Sequence, residues 1–342
     1  MYGMKTVIDA VEREGVANLD NDALSNLEQK TIELQKERQK FFDQRAAYNK
    51  LIRERSRQEE LNEILEESIK NGTITPLNYK RTEIEPSDND LMVSLNDIHY
   101  GIEVDNYWNC YNPNVCREMF VGYIDRILEI RDTHKSENCY VWANGDMISG
   151  NIHYSIAVQN KENVIEQVKG VSELISEFLA ILSEHFNNVY FVSVAGNHSR
   201  VSQDKKFALK DERMDDLVEW YLAARLSEFK NVHIGDCEKI DETMYVVNVR
   251  GNNYCGVHGD YDGTPSKVQA LQSMVGKPIY AILSGHLHHN AMDEVQGIKT
   301  IMAGSFVGMD DYCVQKRILG KAEQLVLVCN KNGVACSYDI EL

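Results

Sequence analysis

The chain has 342 residues, 43% of them hydrophobic and 8% aromatic, which allows one large domain plus an accessory element and excludes a disordered chain. No stretch approaches the roughly 20 uninterrupted apolar residues of a membrane helix. A formal charge of −17 argues against a surface coated in Lys and Arg for duplex DNA, although metal ions or a local basic segment can offset acidic surroundings.

Met1 to Gly15 interleaves Lys5, Asp9, Glu12, Arg13 and Glu14 with apolar residues, so a secretory signal, which needs a continuous apolar core, is not expected there. From about Asp22 to Lys70 there is no Gly or Pro, and Leu, Glu, Gln, Lys and Arg dominate. Asn21 or Asp22 can cap the start of a long helix, and Asn71-Gly72 stops it. Leu27, Leu34, Phe41 and Tyr48 fall at coiled-coil spacing, but the companion seam is polar at Lys30 or Thr31, Glu37 or Arg38, and Gln44 or Arg45, turning apolar only at Leu51 and Ile52. The expectation is a helix with one apolar stripe that packs on the main domain or on a second copy by self-association. Its cations, Lys30, Lys36, Arg38, Lys40, Arg45, Lys50, Arg53, Arg55 and Arg57, read either as a basic arm for nucleic acid or as a solvated face, set against Glu33, Glu37, Asp43 and Glu54.

These features divide the chain into a helical N-terminal extension (1–72), a linker (73–90) containing Pro76 and Pro86, and a catalytic domain (91–342). From Leu91 the pattern is α/β. Leu91–Leu95, Cys139–Ala143 and Val189–Ala195 read as buried strands, with helices over about Val115–Thr133, Lys161–Phe186 and Asp211–Phe229. Met244–Val249, Tyr254–His258, Ile279–Leu283, Thr300–Ala303, Gln324–Cys329 and Val334–Ile340 read as further strands, so two packed sheets flanked by helices are expected. Eight cysteines without a C-x-x-C pair read as buried thiols of a reducing cytoplasm.

Five short patches carry the chemistry: Asp97-Ile98-His99, Gly145-Asp146, Gly196-Asn197-His198, His258-Gly259-Asp260 and Gly285-His286-Leu287-His288. Each follows an apolar, strand-like run, where a rigid sheet can fix a side chain's position. Singly they are weak: a His after a strand is usually a hydrogen-bonded structural residue, and a Gly-Asp is usually a turn. Together they supply enough carboxylate, amide and imidazole ligands for two metal ions. Two ions about 3.5–4 Å apart lower the pKa of a water between them and clamp a phosphate, which is what hydrolysis of a phosphate ester at neutral pH needs.

The order D-x-H, G-D, G-N-H, H, G-H-x-H resembles the calcineurin-like metallophosphoesterase superfamily over roughly Leu91 to Leu342. The resemblance implies an α/β fold of four layers, a β-sandwich flanked by helices with the metals at one edge. It implies that Asp97, His99, Asp146 and His288 hold one ion, and that Asp146 (bridging), Asn197, His258 and His286 hold the other. His198, beside the metals, would steady the transition state or protonate the leaving oxygen. The family typically uses manganese, with Fe, Zn, Ni or Mg as substitutes; oxygen and nitrogen ligands do not choose among them.

The departures also inform. Gly145-Asp146-Met147-Ile148-Ser149-Gly150 and Gly196-Asn197-His198-Ser199 lack the G-D-x-x-D-R-G and G-N-H-E signatures of protein phosphatases, so that branch is not expected. With Ser199 in place of an acid, Asp260 or another carboxylate is expected to orient His198, or His198 is less strongly tuned. Arg200 is a candidate phosphate contact or a surface ion-pair partner. His153 and Tyr154 are candidates for lining the cleft or for plain packing, and His289 reads as a bystander. The tone of the motifs is nearest to bacterial, phage-type and repair-nuclease members. The expected reaction is therefore metal-bridged-hydroxide hydrolysis of a phosphodiester in nucleic acid, such as single-stranded or damaged DNA, or in a nucleotide. The alternatives are a phosphomonoesterase or small-nucleotide phosphatase, and a non-catalytic scaffold.

Overall fold

The computed structural model describes residues 29–41, 44, 77, 79–80, 84–152, 154–204, 207–262 and 265–342. The chain divides into two compact units, Met1–Thr75 and Pro76–Leu342. In the first, 29–41 is helical, with Leu34 and Phe41 of the expected stripe exposed. Leu27 and Tyr48 of that stripe, and the cations from Arg45 onward, lie outside the described residues.

In the second unit, β1 (Asp90–Ser94), β4 (Cys139–Ala143), β5 (Val189–Ser193) and β6 (Val232–Ile234) run parallel, and β13 (Glu323–Asn330) and β14 (Gly333–Glu341) extend them antiparallel into a six-stranded sheet. Three helices connect the parallel strands: α1 (Pro113–His134), α3 (Val164–His185) and α4 (Met214–Arg225). Their start signals are local. Asn112 accepts from the amides of Asn114 and Val115 with Pro113 in the first turn, and Asn163 with Glu166 closes a capping box on α3.

The second six-stranded sheet runs in the order β11 (Ala291–Val295), β12 (Ile298–Met302), β10 (Ala281–Ser284), β9 (Asn252–Val257), β8 (Met244–Val249) and β7 (Glu238–Asp241). Strands β9, β10 and β12 are parallel to one another.

Period-two alternation sorts the apolar side chains into three cores. Leu91, Val93, Val141, Phe191 and Val326 face Phe120, Tyr123, Phe178 and Leu222 of the helices. Met92, Trp142, Val192 and Leu327 face Tyr245, Tyr254, Leu283 and Ile301 across the sandwich. Met244, Val246, Val257 and Ile282 meet Val268, Leu271 and Val275 of α5 (Pro265–Val275). The layers are therefore helix, sheet, sheet, helix. The hairpin β2 (Val104–Asp105) and β3 (Cys110–Tyr111), the short helices α2 (Tyr154–Gln159) and α6 (Asp311–Lys316), and α5 add to the elements expected from the sequence.

The described part of the segment read as a linker docks on this unit. Leu77 packs against the helix-side core. The Tyr79 ring meets Phe229 edge-on at 5.0 Å, and the Asn89 amide donates to the His134 carbonyl at 3.0 Å.

At the edge where β1 begins, a charge cluster ties the sheets together. Arg250, in the β8–β9 turn, donates twice to the buried Asp90 at 2.7 Å and once to Glu137 at 2.8 Å. The hydrogen bond from Arg250 holds the Glu137 carboxyl below its ordinary range. Arg250→Ala leaves Asp90 buried without its charge partner, so a loss of about 3 kcal/mol is expected in urea unfolding. Metal affinity at the opposite edge should be unchanged; a variant as stable as the parent would remove this cluster from the account of sheet packing.

Candidate metal centre

The parallel strands of both sheets deliver their C-terminal ends to one edge, and all five patches lie there. Asp97 and His99 follow β1, Asp146 follows β4, and Asn197 and His198 follow β5; His258 follows β9, and His286 and His288 follow β10. The loops are stitched by backbone bonds, Asp97 N–H to the Gly145 carbonyl at 3.2 Å, His99 N–H to the Asp146 carbonyl at 3.0 Å and Gly285 N–H to the His258 carbonyl at 2.9 Å.

Three overlapping groups of ligand atoms form, each within 4.8 Å: Asp97, His99 and His288; His99, Asp146 and His198; and Asp146, His258 and His286. Asp146 is common to the last two and His99 to the first two, so among the described residues the three groups form one continuous cluster. Asn197 joins the third group through its Oδ1, 3.0 Å from His258 Nε2.

Five of these residues have left-handed backbones that side-chain-bearing residues rarely adopt: Asp97 and His99 (φ 50° each), Asp146 (54°), His286 (70°) and His288 (57°). Close approach explains two of the glycines. A Cβ on Gly196 would lie 2.1 Å from Asp146 Oδ1, and one on Gly285 would lie 2.3 Å from Asp97 Oδ2. The bare backbone instead donates to these carboxylates, His198 N–H to Asp146 Oδ1 at 2.7 Å and His286 N–H to Asp97 Oδ2 at 2.9 Å.

Beneath the loops is a buried polar network that the sequence reading did not single out. Asn96 Oδ1 accepts from the Asn144 amide at 2.7 Å, and Asn144 Nδ2 reaches the Leu283 carbonyl at 2.8 Å in the other sheet. Gln324 Nε2 donates to the carbonyls of Asn96 and Gly304, while its Oε1 accepts from Ser94 and the Asn96 amide. Asp215, in the first turn of α4, accepts at one oxygen from the amides of Asp146 (3.1 Å) and Gly196 (2.9 Å). Burial and the Asp146 charge push its carboxyl up to about 7. No motif marks these residues, because their partners are mostly main-chain atoms of distant strands.

The donors fit divalent metal ions. Asp97 Oδ1 is buried with no hydrogen-bond partner and lies 3.5 Å from His288 Nε2. His99 Nε2 and His288 Nε2 face each other at 3.1 Å. Burial, then His198 and His288, hold His99 well below the ordinary histidine range, so its lone pair is available. His258 Nδ1 lies 2.6 Å from the Asn144 carbonyl, which can only accept; the ring proton therefore sits on Nδ1 and Nε2 faces Asp146 Oδ2 at 3.2 Å.

Burial disfavours charge on His258, but Asp146 outweighs it and pushes the imidazole up to about 10; Asp97 does the same for His288, also to about 10. Burial alone would raise Asp146, yet the His258 and His198 charges hold it well below the carboxylate range. The carboxylates thus favour positive charge at both imidazoles.

His198 Nδ1 lies 2.8 Å from the Ser149 carbonyl. That backbone oxygen, in place of the carboxylate expected at Asp260 or elsewhere, fixes the Nδ1–H tautomer. Asp260 instead lines a small cleft with Asn197, His258, Lys210 and Arg213. Arg200 is buried, and its Nε donates to the Asn197 carbonyl at 2.9 Å, bracing a ligand loop. His289 is exposed and bonds the Leu287 carbonyl. His153 lies outside the described residues, and the side chain of Tyr154 at the start of α2 is not described.

No family profile matches the chain. YonJ, an uncharacterised SPbeta prophage-derived protein of Bacillus subtilis strain 168, is 22% identical over 302 residues, spanning 85% of this chain and 74% of that protein. Vps29 from Cryptosporidium parvum superposes with a TM-score of 0.36 at 15% identity over 75% of this chain and 93% of its own. An archaeal phosphodiesterase does so with a TM-score of 0.37 at 13% identity over 74% and 99%. Overlaps of this size carry no argument about activity. The four layers, and the convergence of the D-x-H, G-D, G-N-H, H and G-H-x-H segments at one sheet edge, are the arrangement expected from the sequence.

Gly285→Ala should push Asp97 from its place and weaken binding of Mn2+ about tenfold to a hundredfold, read by titration calorimetry; parental affinity would contradict the close-packing argument. The His258 and His288 protons also have a pH signature. With both pKa values raised from 6.5 to about 10, their contribution to apo stability is full below about 6.5 and is lost as pH rises through 10. Metal displaces those protons, so affinity should rise with pH across this window. Titrations at pH 7 in buffers of different ionisation heat should show proton release, and buffer-independent heats would show that the imidazoles were neutral.

Proposed function

We propose that the chain is a hydrolase of phosphate esters, using two divalent metal ions, and that its substrates are phosphodiesters of nucleic acid or nucleotides. The observation that carries this reading is the convergence of two buried carboxylates, four imidazoles and an amide on adjacent sites, with Asp97 Oδ1 and two facing Nε2 atoms left for a cation. Bound there, the ions would supply an acidified water and neutralise phosphoryl oxygens. A scaffold has no need of a strained and fully furnished ligand set.

The protein's own residues then do the following. Asp97, His99, Asp146 and His288 would hold one ion, and Asp146, Asn197, His258 and His286 would hold the other. Water attacks phosphorus in line with the leaving oxygen, and the phosphorus–oxygen bond to the leaving group breaks. His198, its Nδ1–H directed at the Ser149 carbonyl, would relay the proton released by the attacking water through Nε2 to the departing oxygen. Arg200 contributes by holding the Asn197 carbonyl. Manganese is the ion proposed, with iron, zinc, nickel and magnesium as substitutes to be compared.

Asp146→Asn keeps an acceptor for the His198 amide but removes the shared charge; it should abolish metal-dependent turnover while leaving the thermal transition in place. His198→Ala should retain metal and slow turnover by about 10²–10⁴-fold. Loss of metal in that variant would make His198 a ligand instead. Mn2+-dependent hydrolysis of single-stranded DNA, bis-p-nitrophenyl phosphate and p-nitrophenyl phosphate is to be compared side by side. Turnover of the monoester alone would replace the phosphodiesterase reading with the phosphomonoesterase one.

A further inference from the structure

The β2–β3 hairpin, whose base is bonded to the loop carrying Asp97 and His99, puts two large rings into solvent. Tyr107 is 91% exposed and Trp108 53% exposed, and the rings meet edge-on with centroids 5.4 Å apart. A turn needs neither ring, and a tryptophan left in water forgoes the gain of burial.

The tip is also held firmly. Asn106 Oδ1 accepts from the amides of Trp108 (2.9 Å) and Asn109 (3.0 Å), and Asn106 Nδ2 reaches the Met309 carbonyl (3.2 Å) and Asp311 (3.3 Å). Asn109 Nδ2 donates to the Val307 carbonyl at 2.6 Å. Both anchors lead to the centre. Tyr111, at the hairpin base, donates to the carbonyl of Ile98, which lies between Asp97 and His99 (2.5 Å). In the loop that holds Asn109, the Phe306 amide donates to the Asp97 carbonyl at 3.1 Å.

A third exposed ring, Tyr312, lies on α6 next to Asp311, with Lys316 Nζ 5.9 Å from its centroid and Arg317 exposed at the helix end. Acidic residues are present as well: Asp105 is exposed at the hairpin base, and Asp311 is engaged by Asn106 and Gln159.

We propose that Tyr107 and Trp108 form a base-stacking subsite, which binds a nucleobase of a single-stranded nucleic acid while a phosphodiester of the same strand occupies the metal centre. Rigid rings lose little conformational freedom when a base stacks on them, and stacking accepts any base because every base has a π-face. Lys316 and Arg317 provide cations for the backbone on that side, where the chain as a whole is acidic. A protein partner would use the same rings without regard to the metal centre. The bonds to the Ile98 and Asp97 carbonyls favour the nucleobase, since they tie the hairpin that bears the rings, and the loop that holds it, to the segment carrying two candidate ligands. This inference rests on the phosphodiesterase reading above.

The test compares the full-length Mn2+-loaded parent with Trp108→Ala, Tyr107→Ala and Trp108→Phe. The substrates are an oligo-dT, an abasic oligonucleotide of equal length and bis-p-nitrophenyl phosphate. The parent should cleave oligo-dT with a lower KM than the abasic strand. Trp108→Ala should raise KM for oligo-dT about tenfold, leave the abasic strand and bis-p-nitrophenyl phosphate unchanged, and be rescued by Trp108→Phe. Unchanged cleavage of oligo-dT by both alanine variants, or an equal loss on base-free substrates, would overturn the subsite alone. A parent that hydrolyses bis-p-nitrophenyl phosphate but neither binds nor cleaves oligo-dT would overturn the nucleic-acid reading together with the subsite.

Discussion

Carboxylate oxygens and imidazole lone pairs repel one another, and at this edge they are held within 4.8 Å in three overlapping groups. Holding them there without a cation is costly, so the surrounding architecture must enforce it. Left-handed turns at Asp97, His99, Asp146, His286 and His288 aim the side chains inward. Glycines at 196 and 285 let the carboxylates rest against bare backbone, and buried amides at Asn96, Asn144 and Gln324 lock one sheet to the other below the turns. Each device is strained or polar and would destabilise an ordinary core. Together they over-determine the positions of the ligands.

The same constraint sets the division of labour along the strands. The middle of the sandwich is apolar, with Trp142, Tyr245 and Tyr254 fully buried between the sheets. At the edge where β1 begins, the Arg250–Asp90–Glu137 cluster closes the sheets with opposite charges already paired. At the other edge the carboxylates of Asp146 and Asp97 face the imidazoles of His258 and His288 and favour positive charge on them. Two edges of one sandwich thus carry opposite solutions to the same electrostatic problem, one structural and one functional.

Much of the second unit is legible in the sequence because its signals are local. The runs at 139–143 and 244–249 are strands with the expected ends, and α1 and α3 begin at side-chain caps that can be read directly from Asn112-Pro113 and Asn163-x-x-Glu166. The elements not foreseen lack such signals. Strands β2, β3 and β6 are two or three residues long, β11 is mostly exposed, and α5 spreads Val268, Leu271 and Val275 thinly over three turns. The orienting partner of His198 was sought among carboxylates because side chains can be read from a sequence. The Ser149 carbonyl that fills the role is main chain, which every residue has, so no sequence pattern marks it. Asp215 is hidden for the same reason, since both its donors are backbone amides.

The sequence by itself determined which residues are candidates, seven as ligands and His198 beside them, because each sits shortly after an apolar run that marks a strand end. It also determined the departure from the protein-phosphatase signatures at Ser149 and Ser199. The tertiary structure alone decided which of the candidates come together, and which carbonyl faces Nδ1 of His198 and of His258. It alone decided that the base of a short hairpin with two exposed rings at its tip is bonded to the loop carrying Asp97 and His99. The physical reason is sequence separation: Asp97 and His288 are 191 residues apart, and distance in space enters only when the two sheets close.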